Sequence, residues 1–398
     1  MSRRVNLLVS PFMTARQIGI GWQVGVASGW GTYGVNLAME LVGCGIDPAL
    51  FFVGDPLVLT PAQSAALEGP LAAVPAWRAA RAQGEVFAGF PILHALGDKL
   101  DFPPVLRALH GAPDIGIVFF ESATIPRENI ADASRFAQIV TGSTWNADVL
   151  KRHGFTNVVN CFQGVDLTLF NPGPRTGRFA GRFAIFSGGK LEYRKGQDLV
   201  VAAFKKFHAR HPDALLVTAW HNPWPQAAQS LGMSVHVAGP PPLKDGRLDV
   251  AGWLTMNALA PDSFVDLGPL ANTATAPLLR EVDVALLPSR CEGGTNLVAM
   301  ECMATGVPVI LSRNTGHLDL IAADNCYALD FQIPMGEVTR RPDLEGWGES
   351  SIEEIVRRLE DAYTDHTDAQ RRGGQGAAFM RDWGWPQRIG KLLDALDV

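Results

Sequence analysis

LLPSRCEGGTNLVAMECMATGVPVILSRNTGHLDLI, residues 286–321, holds a strand end, a glycine loop, a short helix and a second strand in one run. Val282 to Leu287 is an apolar run ended by Pro288, which suits a buried parallel strand, and Thr295 to Ala304 carries Leu297, Val298, Met300 and Met303 at near-helical spacing. Between them Glu292-Gly293-Gly294 lets the backbone turn tightly, and Thr295 or Asn296 can cap the helix that follows. A helix start of this kind attracts an anion by roughly 0.3–1 kcal/mol, and phosphate is the obvious guest. Glu301 stands out on that helix, flanked by Met300, Cys302 and Met303, because charged residues are seldom buried without a partner. It reads either as a solvated or salt-bridged glutamate, or as a carboxylate that accepts both hydroxyls of a ribose.

The 398 residues favour two domains, and a hydrophobic content of 47% supports packed cores in both. With 34 basic against 40 acidic residues the net charge is −6, so nucleic acid is not an expected partner. The start, MSRRVNLLVSPFM, lacks an apolar stretch of secretory length, and no run approaches the roughly 18 apolar residues of a membrane span. A soluble, cytoplasmic protein is expected, with peripheral membrane contact left open. The five cysteines form no C-x-x-C pair and have no histidine at zinc spacing, so they read as reduced core thiols and no metal site is expected.

In chain order, Val5–Ser10 predicts the first parallel strand, Thr32–Val42 a helix and Ala49–Val53 a second strand, with a glycine-rich connection over Gly19–Gly34. That connection contains a formal G-x-G-x-x-G, Gly29 to Gly34. A dinucleotide fingerprint should follow its strand at once, whereas 18 residues separate Ser10 from Gly29, which counts against NAD. Residues 56–112 read as helices and loops without an assignable role. Ile115–Phe120 is a buried strand with Glu121 at its carboxyl end, where parallel sheets bind ligands. Further strands are predicted at Ala137–Thr141 and Asn157–Cys161, around a helix from Ser143 to Arg152, and Gly173 to Gly181 reads as a hinge. Beyond it, strand Phe183–Phe186 leads into the basic glycine loop Ser187 to Gly196, whose Lys190, Arg194 and Lys195 suit a diphosphate. Leu215–Ala219 and Phe264–Leu267 are strands, and strand Val307–Leu311 brings Gly316 and His317 towards the same pocket; His317 also reads as a surface histidine.

PSRCEGGTNLVAMECMATGVPVI resembles the nucleotide-sugar signature of retaining glycosyltransferases of family 4, which have the GT-B fold. TGSTWNADVLKRHGFTNVVNCFQGVDLTLFNPGP is similar to the end of that family's first domain. The resemblance implies an α/β protein of two Rossmann-like domains facing each other across a cleft: an acceptor domain, 1–174, and a donor domain, 183–377, with a final helix, about 378–398, crossing back to the first. It implies that Lys190 and Lys195 meet the diphosphate, that Glu301 holds the ribose, and that Gly293, Gly294, Thr295 and Asn296 form the donor loop. Gly268 and Leu270 would lie against the base, while Gly31, Thr32, Glu121 and His317 would face the transferred sugar or the acceptor. Glu292 would handle sugar hydroxyls, although this chain has one residue more than the usual spacing between its two glutamates: eight, Gly293 to Met300.

The implied reaction moves a sugar from a nucleoside diphosphate to an acceptor hydroxyl with retention, the leaving phosphate oxygen taking the acceptor proton. No cofactor or metal is called for, the partners are the nucleotide-sugar donor and a hydroxyl-bearing acceptor, and the oligomeric state is open. Alternatives are a hydrolase or epimerase of nucleotide sugars, a catalytically silent sugar-nucleotide binding protein, and a dinucleotide oxidoreductase.

Overall fold

A computed structural model of the chain describes residues 4–6, 16–25, 28–55 and 57–397. Contacts divide it into two units, Met1–Gly164 with Trp385–Val398, and Val165–Gly384.

The first unit is built on a six-stranded parallel sheet: β1 (Gln17–Val24), β2 (Asp47–Val53), β3 (Ile92–Leu96), β4 (Asp114–Val118), β5 (Gln138–Thr141) and β6 (Val158–Asn160), in the order β2-β1-β3-β4-β5-β6. Its inner strands are mostly buried on both faces, as covered parallel sheets require, with Ile18, Ile20, Leu50, Phe51, Ile92 and Ile117 almost wholly enclosed, while β6 at the edge is half-buried. The leading strand is not where the apolar run at Val5 suggests. Arg4–Asn6 pairs with Glu85–Phe87 in a separate three-stranded sheet, and the rest of that run lies outside the described residues. The glycine-rich stretch read as a connection contains β1 itself, and helix α1 (Gly29–Gly43), capped by Ser28, starts soon after Val24. The G-x-G-x-x-G therefore does follow its strand closely, and spacing no longer counts against it. Residues 56–112, read as peripheral, include β3, which sits between β1 and β4. The helix expected from Ser143 is observed as α2, Thr144–Arg152, with Ser143 as its cap.

The second unit has β7 (Phe183–Lys190), β8 (Ala214–His221), β9 (Phe264–Asp266), β10 (Val284–Leu287), β11 (Val309–Ser312) and β12 (Tyr327–Leu329), all parallel, in the order β9-β8-β7-β10-β11-β12. Helix α3 (Gln197–His208) buries Leu199, Val200, Ala203, Phe204 and Phe207 in the main core of this unit, and α4 (Leu297–Ala304) follows the glycine loop. The strand order reverses between β7 and β10, and the carboxyl ends of those two strands are where a doubly wound sheet opens a crevice. After β12 the chain makes an excursion through a small hairpin, Gln332–Pro334 with Gly348–Ser350, which packs Met335, Leu344 and Trp347 on Tyr193.

The stretch read as a hinge is fastened to the second unit. The backbone N–H groups of Thr176, Gly177 and Arg178 all donate to the Glu281 carboxylate at 2.5–3.0 Å, and Arg175 pairs with Asp283. The division falls instead at Gly164 and Gly384, where Val165 bridges Gly384. Residues 378–384, assigned from the sequence to the crossing helix, stay with the second unit, and only α5 (Trp385–Ala395) joins the first.

Candidate functional site

The chemistry collects at the strand-order reversal of the second unit. β7 runs further than its apolar residues indicate, through Ser187-Gly188-Gly189 to Lys190, so the basic loop is reduced to a single turn, Leu191 to Gly196. Gly196 closes that turn at φ 72°, and a Cβ there would overlap the Pro288 carbonyl oxygen. Only glycine lets the start of α3 approach the end of β10 so closely.

Arg194 and Lys195 converge on Glu292, which is 3% exposed. Lys195 Nζ donates to both carboxylate oxygens at 2.8 Å, Arg194 to Oε2 at 3.2 Å, Ser289 Oγ to Oε1 at 2.6 Å and Asn296 Nδ2 to Oε1 at 3.0 Å. Burial alone would raise this carboxyl, but Lys195 and Arg194 more than offset it and hold the group at about 2. An acid expected to meet sugar hydroxyls is thus occupied by four protein side chains. Its backbone is fixed as well, since Glu292 N donates to Thr315 Oγ1 at 2.8 Å and Gly316 N to Glu292 O at 3.0 Å.

Asn296, rather than Thr295, caps α4. It adopts φ 69°, a left-handed conformation that asparagine tolerates better than most residues, and its side chain accepts from Ala299 N. Its amide also donates to His317 Nε2 at 3.0 Å. That bond corrects the surface reading of His317: the ring is 0% exposed, and burial pushes it down to about 4, so it is neutral with its proton on Nδ1. Thr295 is buried with its hydroxyl on Met300 Sδ, and Gly293 and Gly294 lie between Glu292 and this cap.

These two groups make the site acid-sensitive. Glu292 is depressed from 4.5, so its contribution to stability is complete above about 4.5 and lost as pH falls towards 2. His317 is depressed from 6.5, so its contribution is complete above about 6.5 and lost as pH falls towards 4. The His317 and Glu292 contributions therefore decline from pH 6.5 downward, by at most about 1.4 kcal/mol per pH unit for each group, while Glu301, raised from 4.5 to about 8, acts the other way between those values and stabilises as pH falls. Urea midpoints of wild type and His317→Gln at pH 7, 5.5 and 4.5 isolate the histidine: wild type should lose stability relative to the variant between pH 6.5 and 4.5.

Arg290, quoted within the signature but given no role from the sequence, is the largest charged group in the interior, at 0% exposure. It makes a bidentate pair with Asp198 at 2.8 and 2.6 Å, pairs with Glu349 at 2.7 Å, donates to Tyr193 O at 2.6 Å and lies 3.8 Å over the Tyr193 ring. Arg290 N also donates to Arg194 O at 2.6 Å. One side chain thus joins the basic turn, the glycine loop, the start of α3 and the excursion after β12. What the sequence offers is only an arginine set inside a glycine-loop signature, and such a charge, once buried, demands carboxylate partners.

The other expected residues lie apart from this cluster. Lys190, at the end of β7, sits 4.8 Å over the Trp224 ring. Glu301 is half-buried on α4, no described residue pairs with its carboxylate, and desolvation pushes it up to about 8. Gly268, at φ 61°, turns the chain after β9, and Leu270 is half-buried beside it. In the first unit Gly31 and Thr32 form the first turn of α1, with Gly31 N on Ser28 Oγ and Thr32 N on Ser28 O. Glu121 follows β4 in a turn where its N–H and that of Ser122 donate to Asp98.

Comparison with known proteins points one way. Residues 148–392 match the family described as family 4 glycosyltransferase in conflict systems. A D-inositol 3-phosphate glycosyltransferase of Arthrobacter sp. (strain FB24) is 29% identical over 181 residues, 44% of this chain and 37% of that protein. A GDP-mannose-dependent alpha-(1-6)-phosphatidylinositol dimannoside mannosyltransferase of Mycobacterium tuberculosis (strain ATCC 25177 / H37Ra) is 26% identical over 203 residues, 50% of this chain and 46% of that protein. The chain thus spans less than half the length of these curated relatives. Among solved structures, sucrose-phosphate synthase from Thermosynechococcus elongatus superposes with a TM-score of 0.67 at 16% identity, over 96% of this chain and 99% of that one. Anabaena Alr3699/HepE in complex with UDP-glucose does so at 0.65 and 13% identity, over 95% and 99%. The fold is GT-B.

Proposed function

The chain belongs to the family 4 glycosyltransferases of conflict systems, and from that premise we propose that it transfers a sugar from a nucleoside diphosphate to an acceptor hydroxyl with retention and without a metal ion. The observation that carries this reading is the pair of cations, Arg194 and Lys195, held on Glu292 where the strand order reverses, beside the start of α4.

In this reaction the bond from the anomeric carbon to the phosphate oxygen breaks and a bond to the acceptor oxygen forms on the same face. The acceptor proton passes to the departing phosphate oxygen, so no separate base is needed. Negative charge grows on the diphosphate, and preorganised donors aimed at developing charge are the largest single aid to such a step. Lys195 and Lys190 are the side chains assigned to it, with the backbone at the start of α4. Glu292 then acts through Lys195 and Arg194, as a positioning residue, rather than on sugar hydroxyls. Gly268 and Leu270 are assigned to the base, and Gly31, Thr32 and Glu121 to the acceptor. A thermal-shift panel of UDP-, GDP-, ADP- and dTDP-sugars, followed by product analysis with cell extract, tests the reading; no stabilisation by any of the four would end it.

Glu301 is assigned to the ribose hydroxyls, which favour its ionised form. Because the carboxyl is raised to about 8, nucleotide binding below that pH must release its proton, and affinity is expected to rise with pH up to about 8 and then level. Calorimetry across pH 6–9 with the bare nucleoside diphosphate checks it. Glu301→Ala should bind more weakly while staying folded, and Glu301→Gln should lose the part of the pH dependence that comes from the carboxyl. Wild-type affinity in a folded Glu301→Ala variant would refute the assignment.

A further inference from the structure

β8 ends at His221, which its register sets opposite Lys190 of β7. On its other edge β8 pairs with β9, Thr218 opposite Asp266, after which Gly268 turns the chain. Since β8 lies between β7 and β9, the turn after it stands between the basic turn and the segment Gly268–Leu270.

That turn is Asn222-Pro223-Trp224-Pro225. Two prolines fix two of its backbone angles. Asn222, only 7% exposed, donates to Leu191 O at 3.2 Å and to Glu192 Oε1 at 3.3 Å, and accepts from Trp224 N at 3.0 Å. The turn is therefore stiff and tied to the basic turn beside it. Its largest side chain is nevertheless turned outward: Trp224 is 57% exposed. A large apolar ring held out on a rigid support at the carboxyl edge of a sheet contributes little to the core and offers a flat face to a ligand.

We propose that Trp224 is a stacking platform for the base of the nucleoside diphosphate, an inference that rests on the donor-site reading above. The Lys190 ammonium, assigned to the diphosphate, is 4.8 Å from the ring centre, so a nucleotide held there has one of its ends against the indole. The sheet order identifies which end. Trp224 lies on the β9 side of β7, whereas the glycine loop follows β10 on the other side. The ring therefore meets the nucleoside and not the transferred sugar. Every base has a π-face, so the contact adds affinity for uracil, guanine and adenine alike, and the choice among them falls to hydrogen bonds elsewhere.

Calorimetry with UDP, GDP and ADP tests this on wild type, Trp224→Ala, Trp224→Phe, Lys190→Ala and the Trp224→Ala/Lys190→Ala double variant. For the tightest-binding diphosphate, Trp224→Ala is expected to weaken affinity by about tenfold or more, the scale of one lost base stack, while Trp224→Phe stays within about threefold. The alanine loss should be the same size with Lys190 present or removed. Thermal midpoints should hardly move, since the side chain is exposed. Wild-type affinity in Trp224→Ala overturns the platform. So does a loss that vanishes in the Lys190→Ala background, because the ring would then act only by holding that lysine. If wild type binds none of the three diphosphates and no dTDP either, the donor-site reading itself falls and takes the platform with it.

Discussion

Lys195→Ala is expected to lower turnover by on the order of 10²–10³ with the donor that the thermal-shift panel identifies, the usual loss when one preorganised donor to developing charge is removed. The ammonium is fixed by two 2.8 Å contacts to Glu292, and that carboxylate is itself fixed by Ser289, Asn296 and its backbone bonds to Thr315 and Gly316. The charge therefore needs little rearrangement when the phosphate departs. Lys190→Ala should act in the same direction. Because Glu292 is read as acting through Lys195 and Arg194, a folded Lys195→Ala/Glu292→Ala variant should lose less turnover than the product of the two single losses. Full turnover in both single lysine variants would mean that the diphosphate binds elsewhere.

Arg290→Ala is expected to destabilise the protein by about 3–5 kcal/mol, since removing one member of a buried ionic group leaves the others uncompensated. The carboxylates left behind are Asp198, wholly enclosed at the start of α3, and Glu349 on the excursion. His236 still faces Glu349 at 3.1 Å and Ser234 still donates to Asp198 at 2.6 Å, but neither supplies the planar fork that Arg290 gives both acids. Arg290→Lys should recover only part of the loss for the same geometric reason. Chemical denaturation of wild type, Arg290→Ala and Arg290→Lys gives the comparison, and a loss below about 1 kcal/mol in Arg290→Ala would show that the network carries little of the stability.

What could be read from the sequence followed what single residues announce. The glycine loop, its helix and the strand from Val309 are legible because Pro288, the paired glycines and the apolar spacing mark their own positions. β1 was hidden because Gly19 and Gly21 look like loop residues. In the sheet they are small for packing reasons, since a Cβ on Gly19 would lie 2.8 Å from the Phe51 ring and one on Gly21 2.8 Å from the Leu93 carbonyl oxygen. β3 was hidden by its length and by His94 in its middle, which is wholly buried on Asp114 at 2.7 Å. Of the residues singled out from the sequence, Lys195, Glu292, Asn296 and His317 come together, while Lys190 lies apart over Trp224. Their pairing was not legible, because whether a glutamate faces a ligand or a lysine depends on contacts about a hundred residues apart in the chain.

The chain leaves the first unit at Gly164 and returns to it only at Trp385. Trp385 stacks on Tyr33 at 5.8 Å, and Arg388 lies 5.5 Å over Phe162, so the last helix supplies part of the first unit's packing. On a ribosome this reverses the usual sequence of events. The second unit has all its residues once Gly384 emerges, whereas the first unit, begun earlier, must wait for the helix from Trp385 before Tyr33 and Phe162 gain these partners.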